Sequence, residues 1–346
     1  MALVGFGNAG RELARILVDR GQDLGDRMGF RLLVTGICTR TRGAVIDPSG
    51  LDMRRILAGL QETGALPGWG STGRGEGSNA GAAEPDTYDF IRECPSDAIV
   101  ETTPLNIMTA QPATSYIETA LRLGKHVVTA NKGPVAWHYR RLATLARDMG
   151  VRFLFESTVM DGTPIFNMVS HCLAGCSVIG FSGILNSTTN FILDEMKEGA
   201  SFDAALEKAQ RMGIAEADPS LDIDGWDSAA KTAVLMNVLM DARVTPVDID
   251  REGIATVDDA YLRNLGSSGR SLRLVCEGTR SAGRVRIAEI EAGHPFAGIA
   301  GTSSILSLQT DLMGEITLIE SHPTVTQTAY GLLNDIIEVA TGSPSH

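Results

Sequence analysis

Between a short apolar run, Ala2–Val4, and a stretch with helical spacing, the chain reads Gly5-Phe6-Gly7-Asn8-Ala9-Gly10. No other feature restricts the fold as much. The first glycine permits a tight turn, the second lets a pyrophosphate approach the backbone, and the third lets a helix pack on its strand. Glycines alone say little in a chain that has 38 of them. The context gives them meaning: a strand precedes, and Leu13, Ile16 and Leu17 recur at helical spacing over Arg11–Asp19. A helix opening at such a turn offers free N–H groups and partial positive charge to phosphates. A dinucleotide-binding turn made of Gly5, Phe6, Gly7, Asn8, Ala9 and Gly10 is therefore expected, in an α/β domain with a doubly wound parallel sheet of the Rossmann type.

The rest of the first half keeps that rhythm. Leu32–Cys38, Ala98–Val100, His126–Thr129 and Val151–Phe155 read as strands, and Ile117–Leu123 and Tyr139–Met149 as helices. Strands spaced by helices imply βαβ units. The strand at Ala98 runs into Thr102-Thr103, and that at His126 into Asn131-Lys132. Residues just past the carboxyl ends of parallel strands face the ligand crevice in such sheets. Thr102, Thr103 and Lys132 are thus cofactor-site candidates. The glycine-rich stretch Gly68–Ser78 breaks the pattern and reads as a surface excursion.

The second strand ends at Cys38-Thr39-Arg40-Thr41-Arg42. An NAD site usually carries an acid here to bond the ribose 2′-hydroxyl. Two arginines stand in its place, and a guanidinium pairs with a 2′-phosphate. The sequence therefore favours NADP, with one of these arginines as the contact; NAD stays possible, the arginines then pointing into solvent.

From about residues 150–161 onward the pattern becomes α+β. Val178–Leu185 reads as a strand, and Asn190–Lys197, Phe202–Met212 and Asp227–Leu239 as helices. Leu272–Glu277, Val285–Glu291, Ser304–Gln309 and Ile316–Glu320 alternate like antiparallel strands, and Gln327–Val339 is a helical tail. A length of 346 residues suits two domains at roughly 100–200 residues each. The net charge of −12 and the lack of a basic stripe argue against nucleic acid. No apolar run reaches the ~18 residues of a membrane span, and no signal peptide is recognised at the start. Five cysteines without a CxxC pair point to reduced thiols in the cytoplasm. His171, Cys172 and Cys176 are read as packing residues in a helical stretch rather than as metal ligands.

Gly213 to Lys231 is the richest polar segment, with five carboxylates before and in the start of a helix. Asp227 falls in the first helical turn, where an acid is favoured, and Lys231 lies four residues later on the same face. Such acids can hold an ammonium group while the lysine moves a proton. An ordinary exposed ion pair is the competing reading of the spacing.

Taken together these segments resemble the homoserine dehydrogenase family, in order and over most of the chain. The carriers are the glycine turn, Lys125 to Lys132, Glu156 to Pro164, Gly183 to Leu193, and above all Gly213 to Lys231. The resemblance implies NADP-dependent interconversion of L-homoserine and L-aspartate 4-semialdehyde, a step of amino-acid biosynthesis. Gly213, Glu216, Asp222 and Asp227 would surround the amino acid, and Arg40 would meet the 2′-phosphate. Lys132 and Lys231 would flank the reacting oxygen, Lys231 being the proton donor and acceptor. Glu156 and the carbonyls of Val159, Asp161 and Thr163 would ligate a sodium or potassium ion. Residues 1–155, with the tail 325–346 packed back on them, would bind the cofactor. Residues 156–324 would bind substrate and pair across a homodimer. The chain departs from the family at Glu320 to Gln327, where a glycine-alanine-glycine turn is common, and no regulatory domain is expected. Two rivals are a dehydrogenase for another small hydroxy or amino acid, and a non-enzymatic NADP-binding sensor.

Overall fold

The computed structural model describes residues 1–66 and 86–342. The stretch Gly68–Ser78 lies outside the described residues, as do 343–346 at the end of the tail. The chain forms two compact units: Met1–Gly162 with Thr324–His346, and Thr163–Pro323.

The first unit runs β1 (Ala2–Val4), α1 (Asn8–Met28), β2 (Gly36–Thr39), β3 (Gly43–Ile46), α2 (Met53–Thr63), α3 (Thr87–Glu93), β4 (Ala98–Glu101), α4 (Ala113–Arg122), β5 (His126–Thr129), α5 (Lys132–Asp148) and β6 (Phe153–Leu154). Its sheet has the order β3-β2-β1-β4-β5-β6. All neighbours pair in parallel except β3, which returns antiparallel to β2. Leu3, Ile99, Val100, Val127 and Val128 are wholly buried. Strands covered on both faces have no polar side, which is why they read as short apolar runs without alternation. The winding reverses between β1 and β4, so the crevice beyond their carboxyl ends is the ligand position in a sheet of this kind.

The expected strand Leu32–Cys38 is shorter and later, at β2. Residues 32–35 approach it irregularly, although Thr35 N–H still bonds the Met1 carbonyl at 2.9 Å. Strand β3 and helix α2 are additional to the sequence reading. β3 is four residues long and largely half-buried, too little for a periodic signal. α2 does carry a start signal, since the Asp52 side chain accepts from the N–H groups of Arg54 and Arg55.

The second unit contains α6 (Ile165–Cys172), β7 (Val178–Ile184), α7 (Ser187–Lys197), α8 (Phe202–Arg211), α9 (Ser220–Ile223), α10 (Trp226–Met240), β8 (Asp250–Arg251), α11 (Asp259–Ser267), β9 (Ser271–Thr279), β10 (Gly283–Ile290), β11 (Ser304–Thr310) and β12 (Glu315–Glu320). Its sheet order is β12-β11-β7-β9-β10-β8, antiparallel apart from the β8–β10 pair. Helix α10 packs on β9 and β10. Ala229, Ala230, Ala233 and Val234 are fully buried there, small side chains that let helix and sheet approach closely.

The last helix, α12 (Val325–Thr341), belongs to the first unit. A reciprocal cap between Thr324 and Gln327 starts it. Leu332, Leu333 and Ile336 join Leu3, Leu13, Ile37, Val100 and Val128 in one core. Burying those three aliphatic side chains contributes roughly 5–9 kcal/mol at most. The same helix keeps residues 156–162 in this unit. Glu156 N–H donates to Asp335 (2.9 Å), the Ser157 hydroxyl to the Thr328 carbonyl (2.8 Å), and the Thr328 hydroxyl to Asp161 (2.7 Å). Among the described residues no helix is long and apolar enough to cross a membrane.

Candidate active site

The glycine turn sits at the carboxyl end of β1. Gly5 has a φ of +93°, and a Cβ there would lie 2.5 Å from the backbone of Thr102. Only glycine satisfies both demands. Its N–H donates to the Cys38 carbonyl (2.9 Å), and its own carbonyl accepts the Thr102 hydroxyl (3.1 Å). The turn is thereby tied to the ends of β2 and β4. Gly10 is buried, and a Cβ on it would meet Thr102 Oγ1 and the Gly5 carbonyl at 3.3 Å. Gly7 differs. It is exposed, a Cβ on it would meet nothing within 4 Å, and as N-cap of α1 it supplies no side-chain cap. The open space beside uncapped helical N–H groups is a cradle for a phosphate. The residues present therefore fit a dinucleotide. Arg11 lies in the same first turn, its guanidinium donating to the Gly7 carbonyl and to Asn8 Oδ1. Arg40 is exposed in the turn after β2.

Beneath the ends of β4 and β5 lies a group that the sequence reading did not single out. Glu101 is fully buried. Its carboxylate accepts from Thr103 N–H (2.8 Å), from the Thr103 hydroxyl, and from the Thr129 hydroxyl (2.7 Å). Burial pushes its carboxyl up from the ordinary value, and these hydrogen bonds oppose that shift. The Thr129 hydroxyl oxygen accepts Asn131 N–H (2.9 Å), and Asn131 Nδ2 donates to the Thr103 carbonyl (3.3 Å). Asn131 caps α5 through Gly133 N–H (3.2 Å). Lys132, half-buried, is the first residue of that helix. An acid ending a buried strand, Ile99-Val100-Glu101, was the legible signal, since an unpaired buried charge is costly.

In the second unit, three of the expected substrate residues come together at the start of α10. Lys231 Nζ lies 3.2 Å from Asp227 Oδ2 and donates to the Leu185 carbonyl at 2.5 Å. Their side chains are 16% and 12% exposed. This removes the exposed-pair reading: breaking a buried pair costs about 3–5 kcal/mol, against a few tenths at the surface. Asn186 links the group, its Nδ2 donating to Asp222 Oδ1 (2.7 Å) and Asp227 Oδ2 (3.0 Å). Its Oδ1 meanwhile caps α7 through Thr189 N–H (2.8 Å). Burial pushes the Asp222 carboxyl up, and the negative charge of Asp227 adds to the rise. Gly225 holds the turn before α10 at a φ of +79°, with no room for a Cβ against the Glu252 carbonyl (2.5 Å). The Arg251 guanidinium stacks 3.6 Å from the centre of the Trp226 ring and braces the same turn. Gly213 and Glu216 lie on the loop after α8 and are exposed. That loop is joined to the group through Thr188, whose hydroxyl donates to the Ile214 carbonyl at 3.2 Å. Asn186 is the linking residue that spacing in the Gly213 to Lys231 segment could not reveal. Its trace in the sequence is Asn186-Ser187-Thr188-Thr189 after a strand, a helix-start pattern.

The expected cation loop begins with Glu156, buried at 2% exposure, in a one-turn helix. Val159 is buried, and Met160 and Asp161 both have positive φ. Thr163 is the first residue of the second unit, its carbonyl accepting Ile165 N–H at 2.8 Å. One carboxylate with backbone carbonyls is an all-oxygen donor set, which suits a hard cation. Among the described residues there is no group of three or more His, Cys, Asp or Glu placed to hold a metal, His171, Cys172 and Cys176 included. All five cysteines are free. Burial pushes the Cys38 and Cys276 thiols up to about 11, far from an activated nucleophile.

The comparisons with known proteins agree with this arrangement. Residues 5–156 match the model for the NAD-binding domain of homoserine dehydrogenase, and residues 164–337 match that for homoserine dehydrogenase itself. An NAD(+)-dependent homoserine dehydrogenase of Pseudomonas canavaninivorans is 36% identical, over 98% of this chain and 95% of its own length. The homoserine dehydrogenase of Methanocaldococcus jannaschii is 33% identical over 97% of both. A hyperthermophilic archaeal homoserine dehydrogenase solved in complex with NADPH superposes with a TM-score of 0.83 at 28% identity, covering 99% of this chain and 98% of its own. With both sheets, the glycine cradle and two family models spanning nearly its whole length, this NAD(P)-binding oxidoreductase belongs to the homoserine dehydrogenase family.

Proposed function

We propose that the protein reversibly interconverts L-homoserine and L-aspartate 4-semialdehyde, with Lys231 as the acid and base. The observation that carries this reading is the largely buried Asp222–Asn186–Asp227–Lys231 group. Two carboxylates held by one amide present negative charge to the ammonium of an amino acid, with Gly213 and Glu216 on the adjoining loop. The bound nicotinamide takes or supplies the hydride. As an aldehyde becomes an alcohol its oxygen gains negative charge, and the Lys231 ammonium stabilises that charge and donates the proton. In the oxidative direction Lys231 must start neutral to accept it, so oxidation should quicken toward alkaline pH. Lys132, opening α5 at the carboxyl edge of the sheet, is the second lysine of the proposal.

For the cofactor we propose Gly5, Phe6, Gly7, Asn8, Ala9 and Gly10 around the pyrophosphate, with Thr102 and Thr103 beside it. NADP is the proposed form, resting on Arg40 after β2. One relative is named for NAD(+) and another is solved with NADPH, so the ratio of kcat/KM for the two cofactors is the measurement to make; a clear NAD preference would remove Arg40 from the site. Glu156 and the carbonyls of Val159, Asp161 and Thr163 are the proposed holders of a sodium or potassium ion. A homodimer built on the second unit's sheet completes the reading. Ile319, 57% exposed on the edge strand β12, supports it, and free thiols support a cytoplasmic setting.

The test is spectrophotometric: L-homoserine with NADP or NAD, followed at the absorbance of the reduced nicotinamide. Steady reduction is expected with L-homoserine and little with L-serine or L-threonine. Turnover of another hydroxy acid in its place would overturn the substrate assignment.

A further inference from the structure

We propose that Glu101 is the positioning residue of the nicotinamide half of the cofactor site. In a doubly wound sheet the glycine turn after β1 holds the pyrophosphate and the end of β2 meets the adenosine ribose. The other half of the dinucleotide therefore lies over the carboxyl ends of β4 and β5. Those two ends are joined, in this protein, by a buried carboxylate. Glu101 holds Thr103 twice, through N–H and hydroxyl, and holds β5 through the Thr129 hydroxyl. Thr129 accepts Asn131 N–H, so its single proton is the one directed at Glu101. Asn131 closes the ring by donating to the Thr103 carbonyl and capping α5 at Gly133. One carboxylate thus sets the Thr102–Thr103 backbone and the first turn of α5 against each other. Glu101 does not touch the ligand; it acts through Thr103 and Asn131.

A glutamine at this position has the same shape but offers one acceptor oxygen where two are used. Its amide N–H₂ would face either Thr103 N–H or the Thr129 hydroxyl proton, donor against donor. The network must then loosen on one side of the β4–β5 seam. The Glu101 bonds run to Thr103 and Thr129, so the turn at Gly5–Gly10 and the end of β2 keep their geometry. The adenosine half should therefore bind as before while the nicotinamide half binds less well. The inference rests on dinucleotide binding by this fold, not on the identity of the amino-acid substrate.

The experiment titrates Glu101→Gln with the reduced cofactor that the wild type prefers, and with the matching ADP-ribose fragment that lacks nicotinamide. Binding of the whole cofactor is expected to weaken about fivefold or more, and that of the fragment by less than about twofold. Thr129→Val, which removes both the β5 donor to Glu101 and the acceptor of Asn131 N–H, is expected to shift the same ratio by about two- to threefold and guards against a Glu101 variant that fails to fold. Equal weakening of both ligands would mark a merely structural role and overturn the proposal. So would unchanged binding of both, or a wild type that holds the fragment as tightly as the whole cofactor. Failure of the wild type to oxidise L-homoserine leaves this binding test intact.

Discussion

The glycine turn at the end of β1 and the acidic group at the start of α10 build ligand sites from opposite materials. The turn is made of backbone: three glycines, an uncapped helix start and no acidic side chain in the first helical turn. The α10 group is made of side chains: two carboxylates, one amide and one ammonium, drawn from the cap of α7 and from α9 and α10. A backbone site depends on the space around it and is indifferent to protonation. A side-chain site depends on charge and hydrogen-bond direction, and the raised Asp222 carboxyl lowers stability where it ionises. The difference implies that substitutions should divide cleanly into steric and electrostatic kinds.

The largest effect should come from Lys231→Ala, which removes the proposed proton donor. Turnover of L-homoserine is expected to fall about 10³-fold, within the range of general acid–base catalysis, with cofactor affinity held within about threefold. Initial rates and a separate cofactor titration check both halves. Gly5→Ala follows, because its Cβ would collide with Thr102 and its left-handed φ alone costs about 1–2 kcal/mol. Both melting temperature and cofactor binding should drop, and a variant that melts and binds normally would break the steric side of the comparison.

Gly7→Ala sharpens the contrast, since its Cβ meets nothing. Stability should stay within about 1 kcal/mol, while cofactor affinity falls about tenfold through lost access to charged-phosphate hydrogen bonds. Smallest is a pH effect on stability. The folded Asp222 carboxyl is pushed up by burial and by Asp227. For an acid whose folded value is raised, stability is full below the unfolded value and declines as pH rises through the folded one. Asp222→Asn should therefore raise the melting temperature at neutral pH, by about 2–4 °C per kcal/mol relieved. The gain should vanish once pH falls below the ordinary aspartate value near 3.8. Melting curves across that range would show it; a variant less stable at neutral pH would contradict the assigned cost of the ionised carboxyl.

What could be read from the sequence follows the same division. Gly5, Gly7 and Gly10 were legible because a backbone site needs glycine at fixed spacing, and Asp227 and Lys231 because four residues on a helix share a face. β3 was not, being too short for periodicity, and α2 offered only its Asp52 cap. Asn186 and Glu101 escaped for another reason. Each acts through partners distant in the chain: Asn186 reaches Asp222 and Asp227, and Glu101 reaches Thr129. Only tertiary packing brings them together. The family resemblance supplied the roles of Gly213 and Glu216, which spacing alone did not assign and which stand exposed on their loop.

The division of labour between the two regions is tested most directly by a crossed pair of variants. Gly7→Ala and Asp222→Asn would each be assayed for the KM of the cofactor and of L-homoserine. Gly7→Ala is expected to raise the cofactor KM about tenfold and leave that of homoserine near normal, and Asp222→Asn to do the reverse. Both variants raising the same KM, or Asp222→Asn leaving homoserine untouched, would contradict it.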